Sequence, residues 1–271
     1  MIFGLEFRHN FGKSFSWALV LIIFIGLLMA FFPLMGDENI LSLVQSFEEN
    51  FSPQVATVLG FGYQLDLSNL THYVPFIFQY LGVLFAIFAI QLGARSLSRE
   101  QSAGTIEYLY GQPVQRGSIL FGKFFGNLIL YLGVCILSLL AALGFSYIFA
   151  PDANKTELMT ILAWVGLALL AIGFIFLALG YLYSALSNRS SHAEGGSVTL
   201  ALLILILWMV FTIMGGTLGL IGEYLPFGVF NPVAFSLGEA PQLVGIGVNL
   251  LGGIIFLLLA HLIYSTKELK F

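Results

Sequence analysis

The chain alternates between long apolar stretches and shorter polar connections. The apolar stretches lie at residues 15–33, 73–93, 118–150, 158–186, 198–222 and 244–264. A helix needs about 20 residues to cover the ~30 Å hydrocarbon layer of a bilayer, and each stretch is close to this length or exceeds it. The pattern predicts an all-α integral membrane protein with six transmembrane helices.

Lysine and arginine are distributed unevenly between the two sides of these helices. Most of the ten cations lie at the termini or in the even-numbered connections: Arg8, Lys13, Arg95, Arg99, Arg116, Lys123, Arg189, Lys267 and Lys270. The odd-numbered connections contain Lys155 alone. By the positive-inside rule, this asymmetry predicts a multi-pass protein of the cell (plasma) membrane with both termini in the cytoplasm.

The composition agrees with a membrane protein of one domain. Apolar residues make up 59% of the chain and charged residues 9%, with a mean hydropathy of +0.97; soluble domains have about 25% charged residues. Because no connection is long enough for a soluble domain, residues 1–271 are predicted to be one membrane domain. The net charge of −4 is no evidence for nucleic acid. Cys135, the single cysteine, cannot form an intrachain disulfide.

The segment before the first apolar stretch, residues 1–14, is amphipathic. Its side chains divide into an apolar helical stripe of Ile2, Phe3, Phe7 and Phe11, and a polar set of Glu6, Arg8, His9 and Lys13 that can face water. This predicts a helix lying in the cytoplasmic membrane interface; the alternative is a frayed start of the first span. The apolar run that follows has about 19 residues, longer than the 7–15 of a signal peptide, so it is predicted to stay as the first span.

Two connections on the predicted outer side have distinctive patterns. In residues 36–72, apolar side chains recur at helical spacing before Pro53, which predicts an amphipathic surface helix. It is either a lid over a substrate vestibule or a helix packed on the spans. Residues 223–242 are apolar, lack lysine and arginine, and contain Pro226, Pro232 and Pro241. They predict a re-entrant hairpin, since non-helical backbone at membrane depth must lie within protein or beside water.

Glycines within the apolar stretches indicate close helix packing. Gly215 and Gly219 form a small-xxx-small pair in the stretch 198–222. The pattern does not indicate a ligand site.

Catalytic and metal-binding motifs are scarce in the sequence. The four histidines fall at predicted span boundaries or in connections, and neither a C-x-x-C pair nor a G-x-S-x-G elbow occurs. Within the spans, Lys123 is predicted to extend to the cytoplasmic boundary. Gln91, Asn127 and Asn249 are predicted interhelical hydrogen-bond partners. The lack of a buried carboxylate argues against a pump driven by protons or sodium.

One match to a nucleotide-binding motif is rejected. Residues 117–123 fit G-x-x-x-x-G-K, but Phe124 stands where serine or threonine coordinates magnesium. The surrounding residues belong to a predicted membrane span rather than to a strand–loop–helix unit. The chain is therefore predicted to be non-catalytic and to hold no cofactor, so any ATP must be hydrolysed by another polypeptide.

The predicted cytoplasmic segment 95–117 is the most informative part of the chain. Glu100, Gly104 and Glu107 are spaced i, i+4, i+7 and therefore share one helix face. Two carboxylates beside a glycine make an acidic surface that a partner backbone could approach closely. The alternative is a solvated connection whose charges only fix the topology.

This segment resembles the signature of ABC-2 type transporter permeases. The family pattern is R-E, G-T-(I/L)-E-x-L, P-V-x-R and then G-K. The matching residues here are Arg99, Glu100, Gly104, Thr105, Ile106, Glu107, Leu109, Pro113, Val114, Arg116, Gly122 and Lys123. The amphipathic start, six spans and proline-broken hairpin fit the same family. Asn231-Pro232 approximates a family S-P element, with asparagine in place of serine.

The resemblance implies a dimer of permeases, identical or different, with each protomer docked on a cytoplasmic ATP-binding cassette subunit that binds ATP and magnesium. The segment between spans two and three would hold the coupling helix, and residues 187–197 would make a lesser contact. The implied ATPase contacts are Arg99, Glu100, Gly104, Thr105 and Glu107. A translocation path at the dimer interface would be lined from the second and fifth spans. Its candidate residues, which could equally be ordinary packing, are Phe78, Phe85, Phe88, Trp208, Phe211 and Met214.

The sequence thus predicts the permease subunit of an exporter that moves an amphipathic or apolar substrate such as a drug, a peptide or a lipid. A membrane scaffold or sensor with the same fold is an alternative. An intramembrane enzyme acting on lipid or peptide is another, but no nucleophile–base pair can be assembled for it.

Overall fold

Helices account for the regular structure of the described residues, and no strand occurs among them. The computed structural model describes residues 2–63, 65–102, 115–187, 189–237 and 242–267, apart from the side chains of residues 47–49, 100 and 101. Six of the helices in these described ranges are long and apolar enough to cross a membrane. The prediction of an all-α membrane fold with six spans is confirmed.

The six long helices are called spans 1 to 6. They are Ile2–Ala30, Leu70–Ser96, Arg116–Phe149, Lys155–Leu186, Ser190–Met214 and Leu243–Thr266. The shortest has 24 residues, or about 36 Å at 1.5 Å per residue. Spans 1, 3 and 5 begin at the end of the bundle where spans 2, 4 and 6 finish, since Glu6 contacts Arg99 and Arg116 contacts Tyr264. This end is called the terminus end, and the opposite one the far end.

Spans 2 and 4 form the centre of the bundle. They pack along each other, span 6 packs on span 4, and span 1 packs on span 3. Span 2 is buried over most of its length, whereas spans 1, 5 and 6 expose much of their surface. Many large apolar side chains lie on this exposed surface, which suits helices in contact with lipid chains.

Gly93 and Gly180 allow spans 2 and 4 to touch backbone to backbone. A Cβ atom on Gly93 would overlap the carbonyl oxygen of Leu177, and one on Gly180 would overlap the carbonyl oxygen of Ile90. Helix association in membranes relies on close van der Waals packing, which small residues permit. The two glycines therefore set the separation of the central pair.

We expect Gly180→Ala to lower the thermal stability of the protein by about 1–3 kcal/mol, because the added methyl group meets backbone that cannot move aside. The matched control is Gly133→Ala in span 3, where no atom lies within 4 Å of the new Cβ. Melting of the two purified variants in detergent tests this expectation. Equal melting temperatures would contradict the close contact of spans 2 and 4.

The start of the chain differs from the prediction. Residues 2–14 continue without a break into span 1, which is one helix from Ile2 to Ala30. Glu6, Asn10 and Ser14 form a buried stripe, and Glu6 is 1% exposed. The expectation that Glu6 faces water is wrong, because its carboxylate contacts Ser96 of span 2 and Lys123 of span 3.

Span 5 is shorter than the apolar stretch that predicted it. It ends at Met214, since Gly215 and Gly216 adopt φ values of 65° and 57°, which glycine reaches readily. The pair Gly215 and Gly219 therefore does not lie within span 5. A helix over Gly216–Glu223 follows, bent by 72° from the segment Pro226–Ser236. This bend lies within the predicted hairpin 223–242.

The connection between spans 1 and 2 contains the predicted surface helix, over Glu38–Asn50, followed by a short helix over Pro53–Val58. The Gln79 amide of span 2 donates to the carbonyl oxygen of Val58 (3.3 Å), and the Tyr80 hydroxyl donates to that of Leu59 (2.6 Å). These bonds hold the connection on span 2 at the far end.

Candidate functional site

The predicted ATPase contacts lie at the terminus end, and the structure describes only part of them. Gly104, Thr105 and Glu107 lie outside the described residues. Glu100 belongs to a short helix over Arg99–Ser102, but its side chain is also outside the described part. Arg99 is described completely. The contacts described below are therefore those of the two ends of segment 95–117.

The first end of the segment is tied to spans 4 and 5. The backbone N–H groups of Leu97 and Ser98 both donate to the hydroxyl oxygen of Ser184 in span 4, at 2.9 and 3.0 Å. The N–H of Ser190, the first residue of span 5, donates to the hydroxyl oxygen of Ser102 (2.7 Å). Ser102 thereby satisfies an N–H group at the start of span 5, which has no partner within its own helix. Ser184 satisfies the two N–H groups that directly follow span 2.

Arg99 binds a buried carboxylate of span 1. Its guanidinium donates to Oε2 of Glu6 at 2.7 Å, and the side chain is only 22% exposed. The Ser96 hydroxyl and the Asn10 amide donate to Oε1 of Glu6 at 3.1 and 2.9 Å. A carboxylate in such a site needs both a countercharge and hydrogen bonds to offset its loss of hydration.

Lys123 and Asn127 of span 3 complete this group of side chains. The Lys123 ammonium donates to the carbonyl oxygen of Ser96 (2.5 Å) and lies 3.9 Å from Oε2 of Glu6. The Asn127 amide donates to the hydroxyl oxygens of Ser96 (2.6 Å) and Tyr181 (2.9 Å). We call Glu6, Asn10, Ser96, Arg99, Lys123, Asn127 and Tyr181 the polar cluster.

The structure bears on three predictions about these residues. The Lys123 ammonium reaches the carbonyl oxygen of Ser96, the last residue of span 2, and the Lys123 side chain is 4% exposed; its extension to the cytoplasmic boundary stays a prediction. Asn127 is an interhelical hydrogen-bond partner, as predicted. The sequence argument that the bundle holds no buried carboxylate is wrong, since Glu6 is one.

The second end of the segment is tied to span 6. One guanidinium nitrogen of Arg116 donates to the carbonyl oxygens of Tyr264, Ser265 and Lys267 at 2.9–3.0 Å. These carbonyls lie at the end of span 6, where a cation also interacts favourably with the helix dipole. The Lys267 ammonium in turn donates to the carbonyl oxygens of Ala185 (3.0 Å) and Ser187 (2.7 Å) at the end of span 4. Partial burial lowers the pKa of Lys267 from its usual value.

Glu194 in the first turns of span 5 forms a second, more exposed ion-pair group. Its carboxylate lies 2.7 Å from Lys13 of span 1 and 3.4 Å from Arg95 of span 2, and the Glu194 side chain is 31% exposed. Water screens such pairs, so each contributes at most about 1 kcal/mol.

The predicted path residues occupy two different environments. Phe78, Phe85 and Phe88 of span 2 are fully buried in the core of the chain, where Phe85 and Phe88 pack on the Tyr131 ring. From span 5, Trp208 is buried, Phe211 is half-buried and Met214 is 64% exposed. The residues therefore do not form one surface in this conformation.

A signal for the polar cluster was present in the sequence. Glu6, Asn10 and Ser14 recur every four residues, as do Lys123 and Asn127, so each set shares one helix face. Complementary polar stripes on two apolar helices predict contact between them. The early phenylalanines suggested instead that the apolar face was the buried one.

The fold defines a class of protein: a multi-pass helical membrane protein in which the segment between spans 2 and 3 is anchored, at its described ends, to one end of the bundle. Residues 1–223 match the family model described as ABC-2 family transporter protein. The chain belongs to this family of transmembrane permeases of ABC transporters. No curated protein matches it.

Proposed function

We propose that the chain is the permease subunit of an exporter driven by a separate ATP-binding cassette ATPase. The observation that carries the proposal is the anchoring of segment 95–117. The two described ends of the segment continue spans 2 and 3. They are bonded to span 1 through Glu6, to spans 4 and 5 through Ser184 and Ser190, and to span 6 through Arg116. A force applied to this segment therefore reaches every span.

The proposed orientation places the terminus end in the cytoplasm. This end carries Lys13, Arg95, Arg99 and Arg116 among its cations. The far end has Lys155, whose ammonium is bonded to the carbonyl oxygens of Ser146 and Ala150. Such an excess of cations at one end supports a cytoplasmic location for both termini.

The proposed contact with the ATPase lies on Arg99, Glu100, Gly104, Thr105 and Glu107. Arg99 occupies a special place in this set, because its guanidinium binds Glu6. In this conformation Arg99 joins segment 95–117 to span 1. ATP and magnesium would be bound by the ATPase, and closure of its two copies would move the anchored segments and re-pack the spans, as in other gating transitions of packed helices.

The proposed path lies between two permease protomers. Span 5 is the better candidate lining, since Met214 and part of Phe211 are accessible on its surface. Phe78, Phe85 and Phe88 would join the path only if span 2 became exposed during the cycle. An uncharged, partly aromatic lining would suit an amphipathic or apolar substrate such as a drug, a peptide or a lipid.

The test is affinity purification of the full chain from its native membranes in mild detergent, with mass spectrometry and an ATPase assay. We expect an ATP-binding cassette protein in near-equal amount, together with ATP hydrolysis. A second six-span protein in the sample would identify a heterodimer. Recovery of this chain alone through several detergents and lipid nanodiscs would contradict the proposal and support a scaffold or an enzyme instead.

A further inference from the structure

Two adjoining cavities at the far end lie between span 5, the short helix over Pro53–Val58 and the bent segment after Gly215. Their volumes are about 190 and 260 Å³, and both are lined by Thr57, Thr212 and Glu223. The first also contacts Trp208 and Gln242, and the second contacts Leu220. They form one cleft with polar and apolar walls, unlike the almost wholly apolar groove between Phe11 of span 1 and Leu137 of span 3.

Two threonine hydroxyls of this cleft present hydrogen-bond acceptors. The Thr212 hydroxyl donates its proton to the carbonyl oxygen of Trp208 (2.8 Å), and the Thr57 hydroxyl donates to that of Pro53 (2.9 Å). Each hydroxyl oxygen keeps lone pairs for a ligand. The Asn231 amide nitrogen already donates to Oε1 of Gln79 (3.0 Å). A ligand that brings its own N–H donors fits these walls.

Glu223 gives the cleft a negative charge. It is the charged residue among the described residues that line the two cavities. Its carboxylate accepts from the Gln242 amide at 3.3 Å, and within the described ranges no lysine or arginine pairs with it. Lys155, the cation described at the far end, is bonded to the carbonyl oxygens of Ser146 and Ala150 at the end of span 3. An exposed carboxylate beside oxygen acceptors and an indole ring favours a cation.

The apolar side of the cleft extends towards the lipid-facing surface of the bundle. Leu220 lines it and is 58% exposed, and Met214 at the end of span 5 is 64% exposed. A ligand with its charged group at Glu223 could therefore lay an alkyl chain along this surface without burying a polar atom. The geometry matches an amphiphile with one cationic end.

We infer that this cleft binds the ammonium group of an amphiphile, with Glu223 as its countercharge and Thr57 and Thr212 as acceptors of its N–H bonds. The ammonium group comes either from the cargo or from a lipid headgroup. Binding is a property of the chain itself, and only the identification of the ligand as cargo rests on the proposed function. A failure to recover an ATPase partner therefore leaves this inference standing.

The test is calorimetric titration of the purified chain in dodecyl maltoside, a detergent without charged groups, with hexylammonium and with hexanol. Hexylammonium should bind measurably more tightly than hexanol. Glu223→Gln should weaken hexylammonium binding by about twofold to fivefold, the effect of removing one exposed, water-screened ion pair. Glu157→Gln, an exposed carboxylate in the first turn of span 4, should leave it unchanged. Because Glu223 is exposed, its replacement should not disturb packing.

Added lipids distinguish the two sources of the ammonium group. If phosphatidylethanolamine displaces hexylammonium and phosphatidylglycerol does not, the occupant is a lipid headgroup. If neither lipid displaces it, the cleft is available to a cationic cargo. Equal affinities for hexylammonium and hexanol, or equal effects of Glu223→Gln and Glu157→Gln, would overturn the inference.

Discussion

Replacing Glu6 by glutamine is expected to destabilise the protein by roughly 3–5 kcal/mol, because removal of one partner from a buried ion pair leaves the other charge uncompensated. The charges left in the polar cluster would be Lys123, 4% exposed, and Arg99, 22% exposed. The neutral amide would keep the shape of the side chain. The loss of stability therefore reports the missing charge and not a change in packing. The measurement is the melting temperature of the purified protein in detergent. Size-exclusion chromatography after heating gives the fraction that remains folded.

Glu194→Gln is the matched control, since it removes a glutamate that also faces two cations, Lys13 and Arg95. Glu194 is much more exposed than Glu6, and we expect a loss of at most about 2 kcal/mol, about 1 kcal/mol for each of its two ion pairs. The double variant Glu6→Gln with Arg99→Gln should lose less than the sum of the two single changes, because the two residues interact directly. Equal melting of the Glu6 and Glu194 variants would show that burial in the polar cluster does not determine stability.

Reversing the charge of both carboxylates in segment 95–117, by Glu100→Arg with Glu107→Arg, is expected to abolish co-purification of the ATPase with this chain. Charge reversal at an interface brings like charges together, and disruption of a close charge pair typically costs 2–5 kcal/mol or more. The lower figure already weakens binding about 30-fold. Quantitative mass spectrometry of the co-purified ATPase, with its ATP turnover, measures the effect.

Asp152→Arg with Glu157→Arg is the control for this prediction. It makes the same change in net charge on exposed residues at the far end, and the ATPase should be recovered as with the unaltered chain. The expression and melting temperature of both variants should match, since neither pair lies in the polar cluster. Undiminished recovery of the ATPase with the Glu100 and Glu107 variant would place the contact elsewhere.

The sequence was sufficient for the number and approximate position of the spans, because hydrophobic length is a direct consequence of bilayer thickness. It failed at the end of span 5, where apolar residues continue past Met214 although the backbone turns at Gly215 and Gly216. Hydropathy reports the environment of a residue and says little about a change in backbone direction. Two adjacent glycines were the available sign of the break.

The residues of the polar cluster could be read from the sequence only in part. The sequence predicts Asn127 as a polar group between helices, whereas it predicts that Glu6 faces water, because the phenylalanines near it form the apolar stripe of the same helix. In a membrane both faces of a helix can be apolar, so the face with polar residues is often the one turned towards other helices. Which spans meet at Glu6 depends on the tertiary arrangement, which no local pattern contains.

The most direct test of a separate ATPase acting through segment 95–117 is photo-crosslinking from position 107 in native membranes. A photoreactive amino acid at this position should form an ATP-binding cassette protein adduct on illumination. The same group at position 157, at the far end, should not. An ATPase adduct from position 107 alone is the predicted result. Crosslinks from position 107 to lipid or to other proteins, with no ATPase among the products, would contradict the proposed coupling.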